Sequence, residues 1–273
     1  MKLVCLFVFA CSFNQVFAQY YFNEIVAQQQ SAEQYKLMRL NKIKKVNAIN
    51  YNSNNEVIEN FEVEQDISND GKKMVTTTII NKRKQIITNT YTNNLLTSSI
   101  QDNSKIIVTT NYVYNSQQQI ASITTSSIDT AVNFSNIEVH EWVYNQQQKP
   151  IQMRKIKNGK DTMMVAFVLD EKGNVAEEQW KRNNTTIETF YYYYNEKNAL
   201  TDVVKYNSLA KKLLPDFVFE YDNNGRVIKT IQTTKAGNYL IWLTTYLPNG
   251  LKQAEECFNK QKQFSGKVVY QYQ

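Results

Sequence analysis

The chain has little of what usually punctuates a β-protein: its 273 residues include only 7 Gly and 3 Pro. Turns must therefore come from Asn, Asp and polar neighbours that tolerate left-handed backbone. Cysteine is scarce too. Cys5 and Cys11 fall in a leader expected to be removed, so Cys257 is left alone, no intrachain disulfide is available, and cohesion has to come from packing. Cys257 lies in Glu255-Glu256-Cys257-Phe258 and reads as a small hydrophobe on a strand, because neighbouring carboxylates raise a thiol pKa. One histidine, His140, offers no second Cys or His at ligand spacing, and Gly-rich phosphate loops and nucleophile elbows are missing. These absences argue against an enzyme, and no catalytic, cofactor-binding or metal residue is expected. Beyond the N terminus no apolar run approaches the roughly 20 residues of a membrane-crossing helix, so no transmembrane segment is expected.

What is present begins with a leader. Met1-Lys2 is a minimal positive start, Leu3 to Phe13 is apolar, and Val16-Phe17-Ala18 is a small-residue cleavage site before Gln19. This predicts a signal peptide over 1–18 and an exported protein that is periplasmic, outer-surface or secreted. Val8-Phe9-Ala10-Cys11 is the competing site, with lipidation at Cys11, and the bulk of Phe9 weighs against it. The formal charge is +6. Its basic clusters, such as Lys82-Arg83-Lys84 and Lys211/Lys212, are dispersed among acidic residues, which points to a solvated sheet face and not to a nucleic-acid stripe.

The strongest pattern is a recurring phrase: an aromatic pair at i and i+2, then Asn or Asp, a polar turn, and Val, Ile or Leu. It is clearest in Phe219-Glu220-Tyr221-Asp222-Asn223-Asn224-Gly225-Arg226-Val227, and recurs at Tyr192 to Leu200 and Phe167 to Val175. Looser copies run from Trp142 to Ile151 and from Tyr112 to Ile120. The residues preceding Asn or Asp are Tyr114, Tyr144, Leu169, Tyr194 and Tyr221, spaced 25 to 30 apart. A period in that range means a repeat architecture. Each copy is one β-hairpin, since i and i+2 share a strand face, and one hairpin cannot bury its aromatic face alone.

Residues 219 to 227 resemble the YD-repeat (Rhs-type) family, whose signature is an aromatic, any residue, Tyr-Asp, two residues, Gly-Arg and an aliphatic. Phe167 to Val175 matches in Asp170 and Gly173. The resemblance implies a small secreted bacterial form whose hairpins coil into a spiral sheet, and it implies no activity; sequence alone leaves open whether the sheet stays open, coils or closes on itself.

The expected fold is all-β: roughly eight consecutive antiparallel hairpins forming a long twisted or spiral sheet, with one short N-terminal helix. The helix is read over Glu24 to Met38, within a cap over 19–40 that covers the first open edge. Degenerate hairpins follow over 41–138 and regular ones over 139–273. Tyr270 to Tyr272 would form a final free edge, able to recruit a strand. Candidate ligand or partner contacts are Trp142, Trp180, Tyr191, Tyr193, Trp242, Tyr270 and Tyr272. The expected partner is an envelope protein or a surface glycan, with no nucleic acid. The function read from this is a non-catalytic exported scaffold or protein-binding module of the envelope or extracellular space. Alternatives are a glycan-binding module using exposed aromatics, and a hydrolase with unrecognised carboxylates. Alternation places Glu138, His140 and Trp142 on one strand face and sends Glu177 and Glu178 to opposite faces.

Overall fold

The computed structural model describes residues 19–132, 134–208, 210–234 and 238–273, with Asp161 and Thr162 as backbone alone. The expected leader, including Cys5 and Cys11, lies outside the described residues. After one helical segment the chain is a succession of strands. The first six are β1 (Lys45–Tyr51), β2 (Phe61–Ile67), β3 (Lys73–Ile80), β4 (Arg83–Thr92), β5 (Leu95–Asp102) and β6 (Ile106–Tyr114). Next come β7 (Ile120–Asp129), β8 (Phe134–Tyr144), β9 (Pro150–Lys157), β10 (Lys160–Leu169), β11 (Val175–Arg182) and β12 (Thr185–Tyr194). The last are β13 (Leu200–Asn207), β14 (Lys212–Tyr221), β15 (Val227–Thr233), β16 (Tyr239–Tyr246), β17 (Lys252–Phe258) and β18 (Phe264–Tyr272).

Every strand pairs antiparallel with its sequence neighbours, and β18 returns to pair with β1, from Val46 opposite Tyr272 to Tyr51 opposite Lys267. The sheet is all-β as expected, but it closes into one 18-stranded barrel. This corrects the open spiral and, with it, the assignment to YD-repeat solenoids. Sheet twist coils a long meander, and pairing its two ends satisfies the backbone groups that an open sheet would leave bare. The Tyr270 to Tyr272 edge is therefore occupied, and no open first edge remains for the helix to cap.

The expectation of no transmembrane segment is overturned with it. That expectation rested on apolar runs, whereas a closed barrel satisfies its backbone internally and crosses membranes with strands. Several large hydrophobics on the outer wall are exposed in the manner of such barrels, among them Val113, Val143, Val168 and Tyr193. The same wall carries Glu62, Glu64 and Asp66 along β2 and the ion pairs Arg154–Glu141 and Lys229–Glu220. Among the described residues no helix is long and apolar enough to cross a membrane.

Eighteen strands at ordinary spacing and tilt make a ring roughly 35 Å across if circular, too wide for wall side chains to fill alone. The N-terminal segment fills part of it. A π-helical stretch (Tyr21–Val26) runs into α1 (Ala27–Leu40), a span of roughly 30 Å. Ala27, the three glutamines and Ala32 favour helix. Lys42 ends it with φ 57°, while Ile43 N–H bonds Met38 O and Lys42 N–H bonds Arg39 O, a Schellman closure. The two ends of this crossbar seed two cores. Phe22 joins Trp142, Trp180, Phe190, Tyr192, Phe217 and Phe219 on the β8–β14 side. Tyr35 and Met38 pack with Val46, Phe61, Met74, Tyr91 and Tyr270 on the side of β1–β5 and β18. The helix thus lies inside the ring at the rim where even-numbered strands end, with its N-terminal end deeper. Asn249 bonds Asn41 at that rim.

The repeated phrase is the wall's joint. At Val113/Tyr114, Val143/Tyr144, Val168/Leu169, Tyr193/Tyr194, Glu220/Tyr221 and Thr245/Tyr246 the register shifts by a bulge. At four of these joints the following Asn115, Asp170, Asn195 or Asp222 accepts two backbone N–H bonds through its side chain, as Asp222 does from Asn224 and Arg226. The left-handed residue is three positions on, Gly225 with φ 77° or Gln148 with φ 59°. In the two-residue turns Asn93-Asn94 and Asn183-Asn184, asparagine supplies the positive φ itself.

Candidate functional site

The helical segment is held by buried polar groups reaching from the wall. Glu178 points inward from β11 and is fully buried. Its carboxylate accepts the backbone N–H groups of Tyr20 at 2.9 Å and Tyr21 at 3.0 Å, the Trp180 indole at 2.7 Å and the Tyr192 hydroxyl at 2.7 Å. The wall thus supplies the cap for the first N–H groups of the helix, whose own N-cap residue, Tyr20, makes no side-chain cap bond. Burial pushes the Glu178 pKa up to about 7, against the pull of the four hydrogen bonds.

Beside it, Glu24 reaches from the helix to His140 Nδ1 and accepts the Trp142 indole at 3.0 Å. His140 Nε2 meets Glu138 at 2.9 Å, and Glu138 pairs with Lys155 at 2.8 Å. Burial lowers the His140 pKa, but the Glu24 charge and the bonds to both carboxylates override it and lift the imidazole to about 9. Burial likewise opposes ionisation of Glu138, and His140 with Lys155 holds it down at about 2. Tyr20 stacks on Trp180 with centroids 5.0 Å apart, and Lys155 donates to its hydroxyl at 3.1 Å. Gln19 bonds Asp216, which Lys205 approaches at 3.3 Å.

The face shared by Glu138, His140 and Trp142 is thus real, and it is used up. Both imidazole nitrogens are occupied by carboxylates, so the group is a clamp on the helix with neither nitrogen offered to a substrate. Among the described residues no cluster of three or more His, Cys, Asp or Glu could hold a metal ion.

The opening lies on the other side of the crossbar. A cleft of about 330 Å³ separates Ile25, Gln28 and Ala32 of the helix from Tyr114, Tyr144 and Ile120 of the wall. The Tyr114 and Tyr144 hydroxyls donate to the carbonyls of Leu96 and Ile120, which leaves ring surface to the cleft. Its rim carries the amides of Gln29, Gln118, Gln119 and Gln148, together with Lys149.

The seven candidate contacts separate by face. Trp142, Trp180 and Trp242 are buried. Tyr270 is buried with its hydroxyl on Glu255, and the Tyr272 hydroxyl donates to Lys252 O at 2.7 Å. Tyr191 and Tyr193 face outward, beside a depression of about 440 Å³ that also touches Asp170 and Glu177. Sequence reasoning did not find Glu178 or Glu24. Alternation sent Glu177 and Glu178 to opposite faces, but nothing local says that a helix from the far end of the chain will meet Glu178.

No family model matches the chain, and no curated protein matches it. Among solved structures, a porin-like protein from Bacteroides uniformis is similar at 11% identity and TM-score 0.38, over 85% of this chain and 98% of that one. A TcdB2-TccC3-TEV structure is similar at 9% identity and TM-score 0.35, over 80% of this chain and 12% of that one. TolB from Acinetobacter baumannii is similar at 9% identity and TM-score 0.29, over 90% of this chain and 69% of that one. At such scores these likenesses assign neither a family nor a function.

Proposed function

We propose that the chain is an exported, non-catalytic β-barrel of the cell envelope or surface whose work is to hold a small molecule in the cleft between crossbar helix and wall. One observation carries this reading: the helix is clamped inside the ring, yet leaves a cleft of about 330 Å³ at the rim, lined by aromatic and aliphatic side chains under a border of amides. Preformed, mostly apolar clefts with a few polar groups are the usual form of a small-molecule site. A scaffold role by strand recruitment has lost its edge to the β18–β1 pairing. The leader over 1–18 supports export.

Native mass spectrometry of the protein purified from its own cells tests the reading. The expected result is a one-to-one adduct that disappears in Ala32→Trp, where the indole fills the cleft. Bare protein mass in both samples, or an adduct that survives the substitution, would overturn it.

A further inference from the structure

We infer that the cleft takes a monoanionic acyl amphiphile, its chain against the tyrosine rings and its acidic head at Lys149; this rests on the binding reading above. The lining supplies the first half of the argument. Tyr114 and Tyr144 present ring surface because their hydroxyls are spent on backbone carbonyls, and Ile25, Ile120 and Val175 complete an apolar floor. Such a floor selects hydrocarbon, at about 25 cal/mol for each Å² removed from water.

Charge supplies the second half. Among the residues lining the cleft, Lys149 is the one that carries charge, and no carboxylate lines it. In the repeat, Lys149 occupies the same position as Arg226, the last residue of the turn. Arg226 is neutralised by its own turn's first residue, Asp222, at 2.6 Å. The turn of Lys149 begins with Asn145, which uses its side-chain oxygen on the Lys149 backbone N–H at 2.9 Å and has no charge to give. No carboxylate among the described residues pairs with the Lys149 ammonium. The neighbouring turn accommodates the lysine stem: a Cβ at Gly173 would lie 3.3 Å from Lys149 Cε. Gln118, Gln119 and Gln148 line the same rim and carry no charge. An unpaired ammonium at the rim of an apolar cleft that no carboxylate lines favours an acidic head, disfavours an amine, and gives an ester no ion pair.

Calorimetric titration of the full protein with laurate, methyl laurate and dodecylamine, each below its aggregation threshold, tests the assignment. Laurate is expected to bind one to one, roughly two- to fivefold more tightly than the ester, the range of a partly exposed ion pair. The amine is expected to bind more weakly than the ester. Lys149→Gln should bring laurate down to the ester's affinity with an unchanged melting temperature, and Ala32→Trp should abolish both. If acid, ester and amine bind alike and all are lost in Ala32→Trp, the cleft is a binding site but the anionic class is wrong. If none of the three binds, or binding survives Ala32→Trp, the cleft reading falls together with this one.

Discussion

The hydroxyl of Tyr221 donates to the carbonyl oxygen of Leu200, 2.6 Å away and 21 residues earlier, on the first residue of the strand that precedes its own. Tyr114 to Leu96, Tyr144 to Ile120, Tyr194 to Val175, Tyr246 to Val227 and Tyr272 to Lys252 repeat it. The repeated tyrosine is therefore a bolt between successive hairpins at one rim, placed where a bulge has freed a carbonyl.

Removing one bolt should cost what a neutral hydrogen bond is worth. Tyr221→Phe and Tyr194→Phe are each expected to lose about 1 kcal/mol in chemical denaturation, with the ring still packed. Leu169 holds the same place without a hydroxyl, so Leu169→Tyr should be neutral or stabilising. Phenylalanine variants indistinguishable from the parent would remove the bolt from the account.

The clamp predicts a local response. Glu178→Ala strands two helix N–H groups, an indole and a phenol, and should destabilise by about 3 kcal/mol or more. Hydrogen exchange should rise first at Tyr20 to Val26. Glu177→Ala, one residue away on the outer face, is the control and should leave those amides protected. Equal exchange in the two variants would mean that Glu178 does not hold the helix.

Proton linkage gives a direction with pH. The folded-state pKa of Glu178 rises from 4.5 to about 7, so its stabilising proton is fully present below the ordinary value and lost as pH rises through 7. His140 rises from 6.5 to about 9, with the same sign over a later window. Glu138 is held near 2 and acts in the opposite direction, losing its contribution only as pH falls through that value. The melting temperature should therefore fall by several degrees between pH 5 and pH 9, and His140→Gln should flatten the part above 6.5. A melting temperature that climbs over this range would contradict the assignment.

The seam of the ring has its own weak point. Gly266 on β18 sits at φ 153°, and a Cβ there would lie 2.6 Å from the Tyr51 carbonyl oxygen on β1. Gly266→Ala should push β1 from β18, expose both edges and produce concentration-dependent association by light scattering. Gln148→Gly relieves a left-handed side chain at φ 59° in a rim turn. The left-handed cost of roughly 1 to 2 kcal/mol outweighs glycine's entropic penalty, so stability should rise by about 0.5 to 1 kcal/mol.

Much of the wall was legible because its rules are local. The phrase from Phe219 to Val227 encodes a strand face, a side-chain-capped turn and a return strand within nine residues, and Glu177 and Glu178 were sent to opposite faces by alternation alone. The helix was legible too, from composition, to within a few residues at each end. The site was not. Glu138, His140 and Trp142 were seen to share a face, but their partner Glu24 is 116 and 118 residues away from the two it touches.

By itself, then, the sequence determined hairpins, their period, the turn chemistry and one N-terminal helix, since each follows from interactions among residues close along the chain. Tertiary structure alone decided that β18 meets β1, that the helix lies inside the resulting ring, and that Glu178 becomes its cap. Closure depends on the twist and stagger summed over all eighteen strands, a quantity no single repeat contains. Once the ring is that wide its wall side chains cannot fill it alone, and the N-terminal helical segment packs across part of the interior.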